Sequence, residues 1–233
     1  MVLLSDPRRE RGETGSSEPF PISTVLAILK RESLAWRETA LTQVGQSGKP
    51  FRLLIGCLLS QRTKDETTYP ATERLFRLAG TPQEMLRLSR ERITRAIYPV
   101  GFYRTKARYI RGICETLIRE HGAKVPADLD SLLRLPGVGR KTANLVLGIG
   151  FGIPAICVDT HVHRITNRWG YVRTRSTAET ETALRTKLPR RHWIPLNDLL
   201  VLFGQHVCNP VSPRCNDCRI ARYCPRVGVR HHR

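Results

Sequence analysis

The hydrophobic positions of the chain recur at helical spacing from about residue 21 onwards. Val25, Ile28 and Leu29 lie one turn apart, and residues 51–59 are apolar on almost all sides, which predicts a buried helix. No segment alternates apolar and polar residues as a half-buried strand does. Gly, Pro and short polar turns separate further predicted helices over 65–78, 82–88, 90–97, 105–121, 128–134, 140–150, 160–168, 177–188 and 193–206.

Two stretches interrupt this helical pattern. Residues 1–20 are polar and lack periodicity, which predicts a disordered extension. Residues 151–154 contain a glycine and a proline between two groups of predicted helices, and we interpret them as the boundary between two helical lobes. The pattern therefore predicts an all-α protein with short connections.

The balance of charge indicates what such a protein could bind. The chain has 39 Lys and Arg against 20 Asp and Glu, a formal charge of +19, with +8 over residues 43–121 and +5 over 208–233. Nucleic acid is the commonest partner for such a surplus, while an anionic membrane or a biased genome composition are simpler alternatives. No apolar run approaches the roughly 20 residues that cross a bilayer, and no signal-type stretch is present, so we expect a soluble, intracellular protein without membrane contact.

Residues 135–142 read Leu-Pro-Gly-Val-Gly-Arg-Lys-Thr between a short predicted helix and a longer apolar one. This pattern predicts a helix–hairpin–helix motif. Glycine permits a turn with positive φ and leaves room for a phosphate, toward which the N–H groups at the next helix start would point. Because such contacts position DNA without reading its sequence, we expect DNA binding by the hairpin residues Gly137, Val138, Gly139, Arg140 and Thr142.

Two residues near the hairpin are candidates for catalysis. Lys141 lies in the first turn of the second hairpin helix, where the positive end of the helix dipole disfavours the ammonium form, and a neutral amine is a nucleophile. Asp159 occupies a predicted N-cap, which would fix its carboxylate beside the hairpin. Each residue considered alone has a simpler interpretation, as a solvated surface charge or as a helix cap without another role.

These two motifs resemble those of the endonuclease III family of helix–hairpin–helix DNA glycosylases. Residues 135–144 are similar to the family's hairpin, residues 158–161 (Val-Asp-Thr-His) are similar to its catalytic aspartate motif, and the separation of Lys141 from Asp159 also matches. The resemblance implies that Lys141 attacks the sugar of a flipped, damaged nucleotide and that Asp159 stabilises the positive charge that develops there. Relatives that only remove bases carry Ser or Tyr at the lysine position, so Lys141 indicates the glycosylase/lyase branch.

Four cysteines at the C-terminus have the spacing of metal ligands: Cys208, Cys215, Cys218 and Cys224. Structural zinc usually takes two Cys-x-x-Cys pairs, and only one is present, so the spacing by itself favours an iron–sulfur cluster over zinc only modestly. The resemblance implies a [4Fe-4S] cluster held by all four. The family's cluster loop is basic, whereas residues 209–214 here offer only Arg214, so a basic tail at 226–233 either replaces it on DNA or is a frayed end.

An enzyme that flips a nucleotide commonly fills the gap with side chains. The resemblance places Arg62 where the family often has Gln, and Phe102 where it often has Leu. The alternatives are a helix cap for the segment around Arg62 and a core position for Phe102. We also include His161 among the candidate DNA contacts, although a structural role suits it better.

Taken together, these patterns predict a helical barrel lobe over 43–153 and an iron–sulfur lobe formed by 21–42 with 154–225, with the lesion in the groove between them. The expected function is a base-excision-repair DNA glycosylase with AP lyase activity on oxidised pyrimidines. A monofunctional glycosylase and a catalytically silent helix–hairpin–helix DNA-binding protein remain as alternatives. The expected partner is damaged double-stranded DNA, bound by a monomer at the nucleoid in the cytoplasm of a prokaryote.

Overall fold

The computed structural model describes residues 19–36 and 38–233, and this part of the chain is helical without any strand. Its helices are α1 (Ile22–Ser33), α2 (Ala40–Gly45), α3 (Pro50–Ser60), α4 (Asp65–Leu78), α5 (Pro82–Arg87), α6 (Arg90–Ile97), α7 (Tyr103–His121), α8 (Leu129–Leu133), α9 (Arg140–Leu145), α10 (Thr160–Arg168), α11 (Thr177–Lys187) and α12 (Trp193–His206). A π-helical turn, Val146–Gly150, continues α9, and short 3₁₀ turns lie at Arg190–His192 and Ala221–Tyr223.

Polar residues in the sequence mark where several helices begin. Thr81 forms a capping box with Glu84 at the start of α5, and Ser89 and Ser176 accept backbone N–H groups at the starts of α6 and α11. These caps satisfy N–H groups that have no partner inside the helix. They explain why the boundaries of α5, α6 and α11 lie within two residues of those predicted from the sequence.

The first hydrophobic core is built around α3 and α7. Leu54 and Leu58 of α3 pack with Ile110 and Ile113 of α7, and all four are fully buried. Helices α4, α5, α6 and α9 surround them. Because α3 is covered on nearly every side, its sequence is apolar almost throughout, as the hydrophobic pattern indicated.

A second hydrophobic core lies between α1, α10, α11 and α12. Aromatic side chains are prominent in it: the Trp169 ring stacks on Phe20 at a centroid distance of 5.4 Å and lies 6.4 Å from Phe203. Residues 1–18, on which most of the predicted disordered extension falls, are outside the described residues. Phe20, at the edge of that prediction, packs on this core.

Helix α2 joins the two cores, and the sequence did not predict it. Its Val44 is buried with Leu53 and Cys57 of α3 and with Cys157. At the N-terminus of α2, the hydroxyls of Thr39 and Thr42 both donate to Oδ1 of Asp198, which lies on α12. A helix of six residues is too short to give a clear period, which explains why the pattern missed it.

Most other predicted helices agree with the structure within two residues, including 160–168 without any change. The predicted helix at 140–150 is helical throughout but changes to π-helical hydrogen bonding after Leu145. The exact bounds proposed for the two lobes stay a prediction. In the described part of the chain, no helix is both long enough and apolar enough to cross a membrane.

Candidate active site

The hairpin between α8 and α9 has the expected positive φ at Gly137 but not at Gly139, which is the N-cap of α9 with φ −99°. Gly137 has φ +75°, and a Cβ at this position would lie 2.5 Å from a ring carbon of Tyr109. Glycine is therefore required there both by the backbone and by the close approach of Tyr109. Val138 is buried beneath the turn, and its N–H donates to Leu135 O at 3.1 Å. Buried Val138 fixes the turn, while the start of α9 faces outward.

Lys141 and Asp159 meet at the end of this hairpin. Asp159 caps α10, because its Oδ1 accepts the backbone N–H groups of His161 at 2.9 Å and Val162 at 3.0 Å. Its other oxygen, Oδ2, lies 3.8 Å from Nζ of Lys141. The Asp159 side chain is 10% exposed and that of Lys141 is 48% exposed. A fixed, nearly buried carboxylate therefore faces an amine that can still reach a substrate.

A side chain between these two residues maintains their spacing. Asn144 lies on α9 one turn after Lys141, and its Nδ2 donates to Ile156 O at 2.9 Å. Both groups are buried. This hydrogen bond ties α9 to the segment that leads into Asp159, so the two candidate catalytic residues are held from both sides.

Lys141 and Asp159 line a groove with a volume of about 900 Å³. The hairpin helix and the start of α10 form one side of this groove, and α2 and α12 form the opposite side. Its lining includes Thr39, Thr42, Asp198 and Gln205. The volume and the open mouth suit a whole nucleotide, which would bring its sugar to Lys141.

The two predicted gap-filling residues lie at adjacent tips near this groove. Arg62 also lines the groove, and its guanidinium lies over the ring of Phe102 at 5.4 Å. Phe102 is 61% exposed, which excludes the core position considered for it. The helix-cap alternative for the segment around Arg62 is consistent with the structure, because Gln61 is the C-cap of α3 and Lys64 is the N-cap of α4, although the Lys64 side chain makes no cap bond.

His161 is packed against its neighbours in the wall of the groove. Its Nδ1 accepts from Nη2 of Arg164 at 3.1 Å, and a side chain at Gly204 would collide with the ring. Burial lowers the pKa of His161, against an opposing effect of the Asp159 carboxylate. The environment therefore favours a neutral ring near pH 7.

The remaining hairpin residues make specific contacts. The buried Glu181 carboxylate of α11 accepts from Arg140 Nη2 at 2.7 Å and from Arg185 Nη2 at 2.9 Å. Burial alone would raise the pKa of Glu181, but the two guanidinium groups outweigh burial and hold that pKa below its usual value. Arg140 is therefore held in place on the outer side of the hairpin. On the inner side, Thr142 is buried and accepts from Gln61 Nε2 at 3.2 Å.

Sequence reasoning missed several residues around the groove. Glu181 and Asp198 lie far from the motifs in the sequence, while Lys106, four positions after Phe102, and Gln61, next to Arg62, were given no role of their own; Gln61 Nε2 donates to Gly137 O at 3.0 Å. One signal was available for Asp198, since a lone acid in the apolar helix α12 requires a polar partner. No comparable signal marks Lys106 or Glu181.

The four C-terminal cysteines line one small cavity beside the second core. Cys208, Cys215, Cys218 and Cys224 share this cavity with Trp169, Phe203 and Ile220. Nη1 of Arg168 donates to Sγ of Cys208 at 3.3 Å. Burial raises the pKa of the Cys218 thiol to about 11 and raises those of Cys215 and Cys224. Within residues 19–36 and 38–233, no three His, Cys, Asp or Glu side chains form a site for a single metal ion.

Of the other three cysteines, Cys114 is buried in the first core, and Cys57 and Cys157 are buried in the cluster around Val44 of α2. Burial raises the pKa of both Cys57 and Cys114 to about 12, and it also raises that of Cys157. Thiols in this state are poor nucleophiles. Their role is therefore to pack against neighbouring apolar side chains.

The basic tail at 226–233 folds back onto the cysteine loop. Arg233 N donates to Pro213 O at 3.0 Å, and Asn216 N donates to Arg233 O at 3.2 Å. Nearer its start, Val227 N donates to Arg168 O at 3.0 Å. The tail is therefore not a frayed end, and its positive charge lies on the surface of the cysteine loop.

Comparison with known proteins gives consistent matches. A family model described as HhH-GPD superfamily base excision DNA repair protein matches residues 55–190. The chain is 49% identical over 175 residues to Endonuclease III of Thermotoga maritima, covering 75% of this chain and 82% of that protein. It is 39% identical over 176 residues to Endonuclease III of Bacillus subtilis, covering 75% and 80%. A solved structure of a trapped endonuclease III–DNA covalent intermediate matches with a TM-score of 0.77 and 34% identity, over 88% of this chain and 94% of that chain.

Proposed function

Because the chain belongs to the HhH-GPD superfamily of base excision DNA repair proteins, within the endonuclease III family, we propose a role for each main residue of the groove. The chain is a bifunctional DNA glycosylase and lyase, and it binds DNA. Lys141 is the nucleophile and Asp159 is its catalytic partner. The observation that carries this assignment is the 3.8 Å separation of Lys141 Nζ from Asp159 Oδ2 at the wall of a nucleotide-sized groove.

The reaction begins with the neutral amine of Lys141. Asp159 is positioned to accept a proton from the ammonium, after which Nζ attacks C1′ of the damaged nucleotide. The bond from C1′ to the base breaks, and the base leaves with the bonding electrons and takes up a proton. This proton is the one that Asp159 accepted, so the Asp159 carboxylate is negative again and stabilises the positive charge on the sugar, beside which it is fixed as the N-cap of α10.

The lyase step follows from the same covalent bond. Opening of the sugar ring gives an imine between Nζ and C1′, which makes the C2′ protons acidic. Loss of one C2′ proton expels the 3′ phosphate by β-elimination, so the strand is cut 3′ to the lesion. Water then hydrolyses the imine and regenerates the Lys141 amine.

The hairpin holds the DNA backbone during this reaction. Its glycine turn and the start of α9 offer N–H groups to a phosphate, and Gly139 leaves open space around its backbone, since a Cβ there would meet nothing within 4 Å. Arg140 and Thr142 flank this site, and Val138 supports it from below. Arg62 and Phe102 fill the gap left by the flipped nucleotide, and His161 lines the pocket that receives it.

A [4Fe-4S] cluster is the cofactor that fits the four cysteines, and when bound it supplies a structural crosslink for the C-terminal loop. A single zinc ion would need its four thiolates within about 4 Å of one another, whereas a cluster separates its ligands more widely. The four thiols line one cavity, which supports a single centre shared by all four. Arg168 donates to Cys208 Sγ and would stabilise its thiolate form.

The substrate in this proposal is double-stranded DNA with an oxidised pyrimidine, bound by a monomer. The charge of +19 favours binding to the duplex backbone, and the acidic side chain of Asp198 in the groove offers an acceptor for a pyrimidine N–H group. Chromosomal DNA in the cytoplasm of a prokaryote is the setting that matches this substrate, and the protein would act at the nucleoid.

Borohydride trapping on DNA with an abasic site tests the nucleophile. Wild type should give a covalent adduct, since borohydride reduces an imine to a stable amine, and Lys141→Ala should give none. Lys124→Ala is the control, because Lys124 is exposed and lies away from the groove. Equal trapping by Lys141→Ala would overturn the assignment.

Assays of base release and of strand cutting on damaged duplex DNA separate the proposed activity from the two alternative functions. A monofunctional glycosylase would release the base without cutting the strand, and a silent DNA-binding protein would do neither. For the cofactor, about four iron atoms per chain and a broad absorption band near roughly 400 nm are expected, whereas colourless protein that contains zinc would contradict the cluster.

A further inference from the structure

Two turns that face DNA in the proposed function meet each other at their tips. The first, residues 61–64, follows α3, and the second, residues 98–102, precedes α7. Arg62 has φ +51° and Phe102 has φ +58°, so both tips place a non-glycine residue in the left-handed region. Such a conformation costs on the order of 1 kcal/mol per residue and persists only where the surroundings enforce it.

The side chain of Lys106 supplies this enforcement. It comes from the first turns of α7, is 4% exposed, and reaches the other turn with its ammonium group. Nζ donates to Leu59 O at 2.9 Å, to Gln61 O at 2.5 Å and to Thr63 Oγ1 at 3.2 Å. All three donors of the ammonium are therefore used on the end of α3 and on both sides of Arg62.

A second contact locks the two turns together at the same point. Thr63 Oγ1 accepts from Gly101 N at 3.1 Å as well as from Lys106. A Cβ at Gly101 would lie 2.5 Å from Arg62 O, so the close approach of the two turns requires glycine. The backbone N–H of Lys106 also donates to Phe102 O at 3.0 Å. Lys106 thus contacts both turns directly.

The outer surface of this junction is formed by the paired tips, Arg62 and Phe102. The guanidinium lies 5.4 Å from the ring centroid, and both side chains are exposed. An exposed cation stacked on an exposed aromatic ring suits insertion between nucleotide bases, since bases stack on both groups. The contacts that hold the two strained tips all come from within the protein.

We propose that Lys106 is a positioning residue that holds the paired tips as one preformed wedge for the duplex gap beside an extruded nucleotide. This inference rests on the proposed function, in which Arg62 and Phe102 fill that gap. Lys106 itself does not touch the reacting atoms, because its donors are occupied by Leu59, Gln61 and Thr63. The wedge matters for a duplex, where a base pair must be opened, and matters little for a single strand.

Lys106→Met tests the proposal, because methionine keeps most of the buried chain but removes every donor. Single-turnover trapping is measured on an abasic site in a duplex and on the same strand alone. We expect the ratio of the duplex rate to the single-strand rate to fall by about tenfold, since a wedge that is no longer preformed must be ordered during binding. An equal fall on both substrates would overturn the proposal.

A double-mutant cycle separates positioning from general damage. In the Arg62→Ala, Phe102→Ala background the wedge is absent, so Lys106→Met should reduce the duplex rate by no more than about twofold further. If the rate loss caused by Lys106→Met is as large in this background as in wild type, the proposal is contradicted. If Lys106→Met does not fold, Thr63→Val replaces it in both experiments, because it removes the hydroxyl that Lys106 and Gly101 share.

A fluorescence measurement tests the proposal without requiring the catalytic reaction. The adenine analogue 2-aminopurine is placed opposite the abasic site, and wedge insertion should unstack it and raise its emission. Wild type should give this rise and Lys106→Met less than about half of it. If wild type does not trap DNA at all, the proposed nucleophile fails while this measurement still tests the wedge. A full rise with Lys106→Met would refute the wedge alone.

Discussion

Two lysines near the starts of two helices differ in accessibility and in hydrogen bonding because of their surroundings. Lys141 lies in the first turn of α9, 48% exposed, with its ammonium 3.8 Å from the Asp159 carboxylate and open to the groove. Lys106 lies in the first turns of α7, 4% exposed, with all three donors bound to protein oxygens. An amine can attack a substrate only where the substrate can reach it, and of these two lysines only Lys141 is open to the groove.

The tertiary environment of each lysine, rather than the residue type or its place on a helix, determines its role. The ordered oxygens around Lys106 turn a lysine into a crosslink between two turns. The single carboxylate beside Lys141 leaves its amine free to move toward a sugar.

The largest effect should come from Asp159→Asn. Asparagine still caps α10 through its side-chain oxygen, so the fold is kept, but the negative charge beside Lys141 is lost. We expect the rate of base release to fall by about 10³-fold, in the range typical for loss of a general acid–base group. Single-turnover assays on duplex DNA measure it.

Asp159→Ala is the matched comparison for this prediction. It should lose a similar amount of activity and, in addition, about 1 kcal/mol of unfolding free energy, because the N-cap is lost. An Asp159→Asn variant that keeps more than about a tenth of wild-type activity would remove the carboxylate from the proposed mechanism.

The second prediction concerns pH and Lys106. Burial lowers the pKa of Lys106 from 10.5 to about 8, so between these values the unfolded chain binds more protons at this residue than the folded protein does. The contribution of Lys106 to the free energy of unfolding should therefore increase as the pH rises from about 8 to about 10.5, by up to about 3 kcal/mol. Below pH 8 the cost of burying the charge is fully present.

Urea unfolding of wild type and of Lys106→Met across this pH range measures the effect. The difference in unfolding free energy between the two proteins should change in favour of wild type as the pH rises. A difference that stays constant over the range would mean that the hydrogen bonds to Lys106 hold its pKa near the ordinary value. Lys141→Ala is the control, because its removal should not abolish this change.

The third prediction contrasts Gly101, in the turn that Lys106 holds, with Gly139, in the hairpin before Lys141. Gly101→Ala would place a Cβ 2.5 Å from Arg62 O, so the tips must move apart, and we expect a loss of about 2 kcal/mol in unfolding free energy. Gly139→Ala meets nothing within 4 Å and should lose less than about 1 kcal/mol. Denaturant unfolding of both variants checks the contrast, which equal losses would contradict.

The smallest effect concerns salt. Removing Lys141 should leave the salt dependence of duplex binding almost unchanged, because its charge is largely balanced by Asp159. Arg62→Gln removes an exposed cation from the proposed wedge and should reduce the slope of log K against log salt by about 0.9. Binding titrations at several salt concentrations, with catalytically inactive Lys141→Ala as the common background, measure the change. A reduced slope for Lys141→Ala alone would show that its ammonium binds a phosphate.

Local patterns were enough to predict much of the site. The hairpin could be predicted because Gly137 requires a positive φ that few other residues adopt, and Asp159 because N-caps follow from local sequence. The four terminal cysteines were visible from spacing alone. The missing element, α2, is too short for a hydrophobic period, and its position depends on Asp198, about 150 residues later in the sequence.

Sequence by itself thus determined the all-helical fold, the hairpin turn, the helix cap at Asp159 and the set of cysteines, since each depends on interactions between residues close together in the chain. Only the tertiary structure decided which lysine faces a carboxylate across an open groove and which one is enclosed by carbonyl groups. The same is true of the paired tips, Arg62 and Phe102, and of the clamp that Glu181 places on Arg140. These contacts join residues about 40 positions apart. Arg62 and Phe102 meet because α3 and α7 pack in the first core, and Arg140 meets Glu181 because α9 of the first core lies beside α11 of the second.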